Sequence, residues 1–122
     1  MFENYKFEEY TLLGRKELVV IFPTKKENLV FWAVTSSGFR PEEALKEISL
    51  VLSGEKEQGV AGYNDTYILI HKDTSTAYDV LADSDELDDD GEPEIEEVDI
   101  PTLRLKEILE DYIAEKKKLG IE

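Results

Sequence analysis

Leu29-Val-Phe-Trp-Ala-Val-Thr35 is seven residues of nearly continuous apolar character, rich in β-branched and aromatic side chains. Strands buried on both faces have this composition, so the segment reads as a central strand with Trp32 in the core. Two more strands precede it. Lys6 to Leu13 is dense in apolar and aromatic residues and ends at a Gly14-Arg15-Lys16 turn, after which Glu17-Leu-Val-Val-Ile-Phe22 runs to a stop at Pro23. Thr24-Lys-Lys-Glu-Asn28 reads as a polar connector into the third strand.

Downstream, Ser36 to Arg40 breaks the pattern and Pro41-Glu42-Glu43 opens a helix, because proline suits the first helical position and acids complement the positive end of the helix dipole. Ala44, Leu45, Ile48, Val51 and Leu52 supply its apolar stripe, which stops near Gly54. Val60 to Tyr63 and Thr66 to His71, separated by Asn64-Asp65, suggest a hairpin or bent strand, and Thr76 to Ala82 a strand returning from it. Glu94 to Ile100 reads as a short edge strand with a bulge, since Ile95 is out of phase with Val98 and Ile100. From Pro101 to Leu119 the pattern is helical, with Leu105, Ile108, Leu109, Tyr112 and Ile113 on one face and Gly120 as the stop.

The order β-β-β-α-β-β-(β)-α predicts an α+β fold: a mainly antiparallel sheet of five to six strands with two helices packed on it. At 122 residues the chain is sized for a single domain over 1–122, interrupted by an acidic loop at about 83–93.

That loop opens the strongest compositional signal. From Asp83 to Asp99 the sequence reads DSDELDDDGEPEIEEVD, eleven carboxylates in seventeen residues with no basic side chain. Without it the chain holds 18 acids against 14 bases, so most of the formal charge of −15 is concentrated there. The carboxylates concerned are Asp83, Asp85, Glu86, Asp88, Asp89, Asp90, Glu92, Glu94, Glu96, Glu97 and Asp99. A run of this kind is either a solvated loop or a docking surface that steers a basic partner. Asp83 to Glu92 reads as a mobile loop and Glu94 to Asp99 as a rigid edge that holds acids in place. Affinity would need apolar anchors beside them, for which Trp32, Tyr63, Tyr67, Tyr78 and Tyr112 are the candidates, although core packing is the commoner fate of an aromatic.

The same balance argues against direct binding to nucleic acid or an anionic membrane, both of which depend on Lys and Arg. Absence of cysteine fits a reducing compartment, and with no basic-apolar leader and no run of roughly 18 apolar residues the chain is expected to be cytoplasmic. Catalytic inventory is thin: His71 is the one imidazole, at a strand end, and no cofactor or catalytic residue is expected. Gly54 to Gly59 has phosphate-loop glycine spacing but continues with Val60-Ala61 in place of Lys-Ser/Thr. A calcium loop is the sharper alternative. With Gly91 at the sixth position, Glu86, Asp88 and Asp90 fall at positions one, three and five and Glu97 at twelve, while Glu86 in place of Asp, Pro93 at position eight and strand-like flanks depart from that motif. No metal site is assigned.

Glu96-Glu-Val-Asp-Ile-Pro101, followed by Leu103 to Leu109 and Tyr112-Ile113, resembles the strand, Ile-Pro junction and closing helix of small bacterial immunity proteins, which neutralise secreted toxins of polymorphic and contact-dependent systems. The resemblance covers about twenty residues. It implies a small acidic, non-enzymatic protein that binds a toxin domain, and many such toxins are nucleases whose clefts are basic. The leading expectation is therefore an immunity-type inhibitor that occludes a basic toxin nuclease through the carboxylates of Asp83 to Asp99. Alternatives are a phage-type DNA mimic that blocks a host DNA-binding enzyme, and a calcium module built on residues 86–97.

Overall fold

A computed structural model describes residues 1–35, 41–62 and 66–121, without the side chains of residues 12 and 32–35. β1 (Lys6–Leu12) and β2 (Arg15–Ile21) form an antiparallel hairpin that is a two-stranded sheet of its own. α1 (Lys25–Thr35) and α2 (Pro41–Leu52) follow. A second antiparallel sheet is then built in the order β3 (Gly59–Ala61), β4 (Thr66–Ile70), β5 (Thr74–Asp79) and β6 (Glu97–Pro101), and α3 (Thr102–Leu119) closes the chain. The α+β class is as expected, but the described residues form two sheets and three helices in the order β-β-α-α-β-β-β-β-α.

The difference lies at Leu29 to Thr35, which is the body of helix α1 and not a central strand. Thr24 explains why. Its Oγ1 accepts the backbone N–H of Glu27 (3.3 Å), and the Glu27 carboxylate accepts the Thr24 hydroxyl (2.6 Å), so the expected connector holds a side-chain cap on the first turn of a helix. Asn28 adds a second tie: its side chain accepts the N–H of Phe22 (2.8 Å) and donates to the Phe22 carbonyl (2.9 Å), so its amide pairs with the backbone as a neighbouring strand would. Val30 and Phe31 of α1 are buried, whereas the core position expected for Trp32 lies outside the described side chains.

One hydrophobic cluster joins all the elements. α1 packs against β2 and across β4, β5 and β6; α2 packs on β3, β4 and α3; α3 packs on β5 and β6. Leu105, Ile108, Leu109 and Tyr112 are the buried stripe of α3, as its periodicity predicts. α3 ends at Gly120, whose φ of 70° lets the N–H of Ile121 return to the Lys116 carbonyl at 2.9 Å. Ser75 and Thr102, both fully buried, lock β5 to α3. Thr102 Oγ1 donates to the His71 carbonyl (2.5 Å), so the 2.8 Å contact between the two hydroxyls is donated by Ser75.

Tyr5 and Tyr112 tie α3 to the N-terminal hairpin region. The Tyr112 hydroxyl donates to the Leu18 carbonyl at 2.8 Å, and that of Tyr5 donates to Asp111. Burial is the first cause that pushes each hydroxyl up to about 12, with the Asp111 carboxylate adding to it at Tyr5. A folded-state pKa above the unfolded value near 10 means stability is fully present below pH 10 and is lost as the pH rises toward 12. Ultraviolet titration should show Tyr5 and Tyr112 ionising near pH 12, and Tyr5→Phe and Tyr112→Phe should each remove one late-ionising hydroxyl.

The hairpin turn carries a different strain. Leu12 pairs with Arg15, leaving Leu13 and Gly14 as a two-residue loop with φ of 52° and 79°. Tight turns of this hand need positive φ at both positions, which glycine adopts freely and leucine does not. Leu13 is also 93% exposed, so its side chain gains nothing from packing. Leu13→Asn is expected to stabilise the fold by about 1 kcal/mol, read as a higher denaturation midpoint at unchanged slope. An unchanged midpoint would mean the turn carries no such strain.

Candidate functional site

The acidic run is built into the structure in two parts. Between β5 and β6 it folds back on itself: Leu87 forms an isolated antiparallel bridge with Pro93, Asp88 N–H donates to the Glu92 carbonyl (2.7 Å), and Glu94 N–H donates to the Glu86 carbonyl (3.0 Å). Carboxylates cap the resulting turns. Asp83 Oδ1 accepts the N–H of Asp85 (2.9 Å), Glu94 Oε1 accepts that of Asp83 (3.2 Å), and Asp88 Oδ1 accepts those of Asp90 (2.9 Å) and Glu92 (3.1 Å). Short acidic side chains favour such turns because they bond the backbone two residues on. Where a mobile loop is expected at Asp83 to Glu92, the structure has a self-bonded turn. Strand β6 begins only at Glu97, so Glu94, Ile95 and Glu96 belong to its approach and not to the strand.

Lys25, the first residue of α1, fastens this turn to the core. Its ammonium contacts Asp88 Oδ2 at 2.9 Å and also Asp90 Oδ2. The Lys25 hydrogen bond, then the N–H groups of Glu92 and Asp90, hold the Asp88 carboxyl below the usual carboxylate range; Lys25 is raised in turn by its bonds to Asp90 and Asp88. An exposed pair like this contributes little to global stability. Its effect is positional, because it sets the distance between the turn and the helix. An open cleft of about 630 Å³ separates Thr24, Lys25 and Lys26 from Glu92 to Glu97, with Pro93 and Ile95 as its apolar lining. Lys25 and Lys26 are missing from the sequence-based site because the segment reads as a connector; the Thr-x-x-Glu spacing at Thr24 and Glu27 is the signal that places them on a helix.

Six carboxylates remain uncommitted to hydrogen bonds or ion pairs among the described residues: Asp85, Glu86, Asp89, Glu92, Glu96 and Glu97, all exposed. Asp99 is also exposed, and its Oδ1 accepts the Thr76 hydroxyl at 2.7 Å. The calcium spacing does not assemble. Asp88 and Asp90 are engaged by Lys25, strands β5 and β6 flank the segment where that motif has helices, and no three His, Cys, Asp or Glu among the described residues are placed to hold a metal ion.

No protein-family profile, curated protein or solved structure matches this chain. The site therefore rests on its own geometry. His71 sits exposed at the end of β4 with Nε2 3.0 Å from Gln58 Oε1. Of the aromatic anchors considered, Tyr112 is in the core, Tyr63 lies outside the described residues, and Tyr67 and Tyr78 stand half-buried on the second sheet. No helix among the described residues is long and apolar enough to cross a membrane.

Proposed function

We propose that this protein is a non-enzymatic, immunity-type inhibitor that works in the cytoplasm by covering the basic cleft of a toxin domain, with a nuclease as the favoured target. The observation that carries this reading is the bonded turn at Asp83 to Glu94. A run of carboxylates that served only solubility would need no internal hydrogen bonds and no lysine clamp, whereas a fixed array can match the spacing of cationic groups on one partner and reject others. Nuclease clefts are basic because they bind phosphate, and a surface this acidic is complementary to them.

Co-expression with the products of the reading frames that flank its own gene tests the proposal. One product should be a growth-inhibiting basic domain that this chain neutralises and co-purifies with. If none is toxic, or a toxic one is not neutralised, the reading fails. Replacing Asp85, Glu86, Asp89, Glu92, Glu96 and Glu97 by Asn or Gln should leave the turn's own bonds intact and slow association roughly 10- to 1,000-fold at low salt. An unchanged rate would remove the acidic run from the mechanism.

A further inference from the structure

The second sheet has two faces of opposite character. Gly59 and Ala61, Ile68 and Ile70, Ser75 and Ala77, and Val98 and Ile100 are all buried and lie on one side. Alternation puts Val60, Tyr67, Leu69, Thr76, Tyr78, Glu97 and Asp99 on the other. The strand register groups them in two rows, Val60-Leu69-Thr76-Asp99 and Tyr67-Tyr78-Glu97. Val60 is 50% exposed, and none of Val60, Tyr67, Leu69 or Tyr78 belongs to the core cluster or packs against it. Among the described residues, no element covers this face.

We propose that this face is where the basic partner docks, with the Tyr67–Tyr78 pair as the apolar anchor and Glu97 and Asp99 as its charged contacts; the inference rests on the inhibitor reading above and names the surface that carries affinity. Tyr67 and Tyr78 stack at 5.2 Å and 23°, so the anchor is already ordered and loses little side-chain freedom on binding. Thr76 aims the Asp99 carboxylate, and neither Glu97 nor Asp99 takes part in a salt bridge among the described residues. The strand positions of this face carry no lysine or arginine.

Charge selects the occupant. A second copy of the chain would bring Glu97 and Asp99 against their like on a molecule of net charge −15, and nucleic acid would be repelled for the same reason. An arginine-bearing protein surface fits both rows, because a guanidinium stacks on tyrosine rings and pairs with a carboxylate through a planar fork. Tyrosine beside exposed acids offers arginine more than it offers lysine.

Titration of the isotope-labelled full chain with deca-arginine and deca-lysine peptides at low salt, followed by amide NMR shifts, tests this. Shifts should be largest at Tyr67, Tyr78, Glu97 and Asp99, with tighter binding of the arginine peptide. Tyr67→Ser with Tyr78→Ser should weaken that binding roughly tenfold. Glu97→Gln with Asp99→Asn, exposed and nearly isosteric changes that leave the core untouched, should weaken it similarly. Shifts confined to residues 83–96, or equal binding of the two peptides, would overturn this inference and leave the acidic-run reading standing. Absence of binding by either peptide would sink both. A concentration-dependent dimer that broadens the same signals would replace the basic partner with a second copy.

Discussion

Phe2→Ala is expected to remove about 3–5 kcal/mol of folding free energy, a large part of what a domain of this size has. The Phe2 ring is fully buried, edge-on to Phe22 with centroids 5.6 Å apart, and Phe22 in turn stacks on Phe31 at 5.0 Å. Its backbone is held at both ends. The N–H donates to Glu27 Oε2 (2.6 Å), and the carbonyl accepts from Arg104 Nε (2.9 Å) and Nη2 (2.7 Å). Phe2 thus ties the hairpin's end, α1 and α3 together, and its φ of 66°, costly for an aromatic residue, persists because those bonds over-determine it. Denaturant unfolding would measure the loss, and Phe2→Leu, which keeps most of the apolar volume, should lose less than half as much. A change below about 1 kcal/mol for the alanine variant would show that the ring does not organise this corner.

Glu27→Ala is the second large effect, at about 2–4 kcal/mol. Glu27 is 4% exposed, yet both oxygens are used, one by the Phe2 N–H and one by the Thr24 hydroxyl. Truncation strands a buried N–H, worth about 1–3 kcal/mol, and opens the cap of α1, worth about 1 kcal/mol more. Glu27→Gln keeps an acceptor for the Phe2 N–H and presents an N–H to the Thr24 hydroxyl, which can turn to accept it, at the loss of the carboxylate's stronger charge-assisted bonds, so it should fall between wild type and the alanine variant. Because Lys25 sits in the same first turn, loosening the cap should also raise amide exchange at Asp90 and Glu92. If both variants unfold at the wild-type midpoint, the buried bond to Phe2 is not a support of the fold.

Elements with a clean period were legible. The stripe of α3, the start of α2 at Pro41, the hairpin turn at Gly14 and the alternation of Val98 and Ile100 all fell within a few residues of their places. Tyr67 and Tyr78 were visible as candidates only. Their exposure follows from alternation with Ile68 and Ala77, and the choice of which face meets the helices depends on the packing of α1, α2 and α3 against one side. The acidic run was legible as charge and not as shape, since the bonds between Asp88 and the amides two and four residues on, and the reach of Lys25 from sixty-three residues away, are products of folding.

Composition and short-range pattern settled that this chain is small, acidic and α+β, with its charge concentrated in one segment, because charge runs and short-range periodicity are properties of neighbours in sequence. Whether Leu29 to Thr35 became a strand or a helix was decided by tertiary structure. Its valines and aromatics suit a strand, and a run apolar on every side shows no period to choose by. The helix won through a cap at Thr24 and Glu27 whose second carboxylate oxygen is satisfied by Phe2, twenty-five residues away in sequence, and through burial of Val30 and Phe31 between the hairpin and the sheet. Local propensity is worth a fraction of a kcal/mol per residue, and the burial of a side chain several times that.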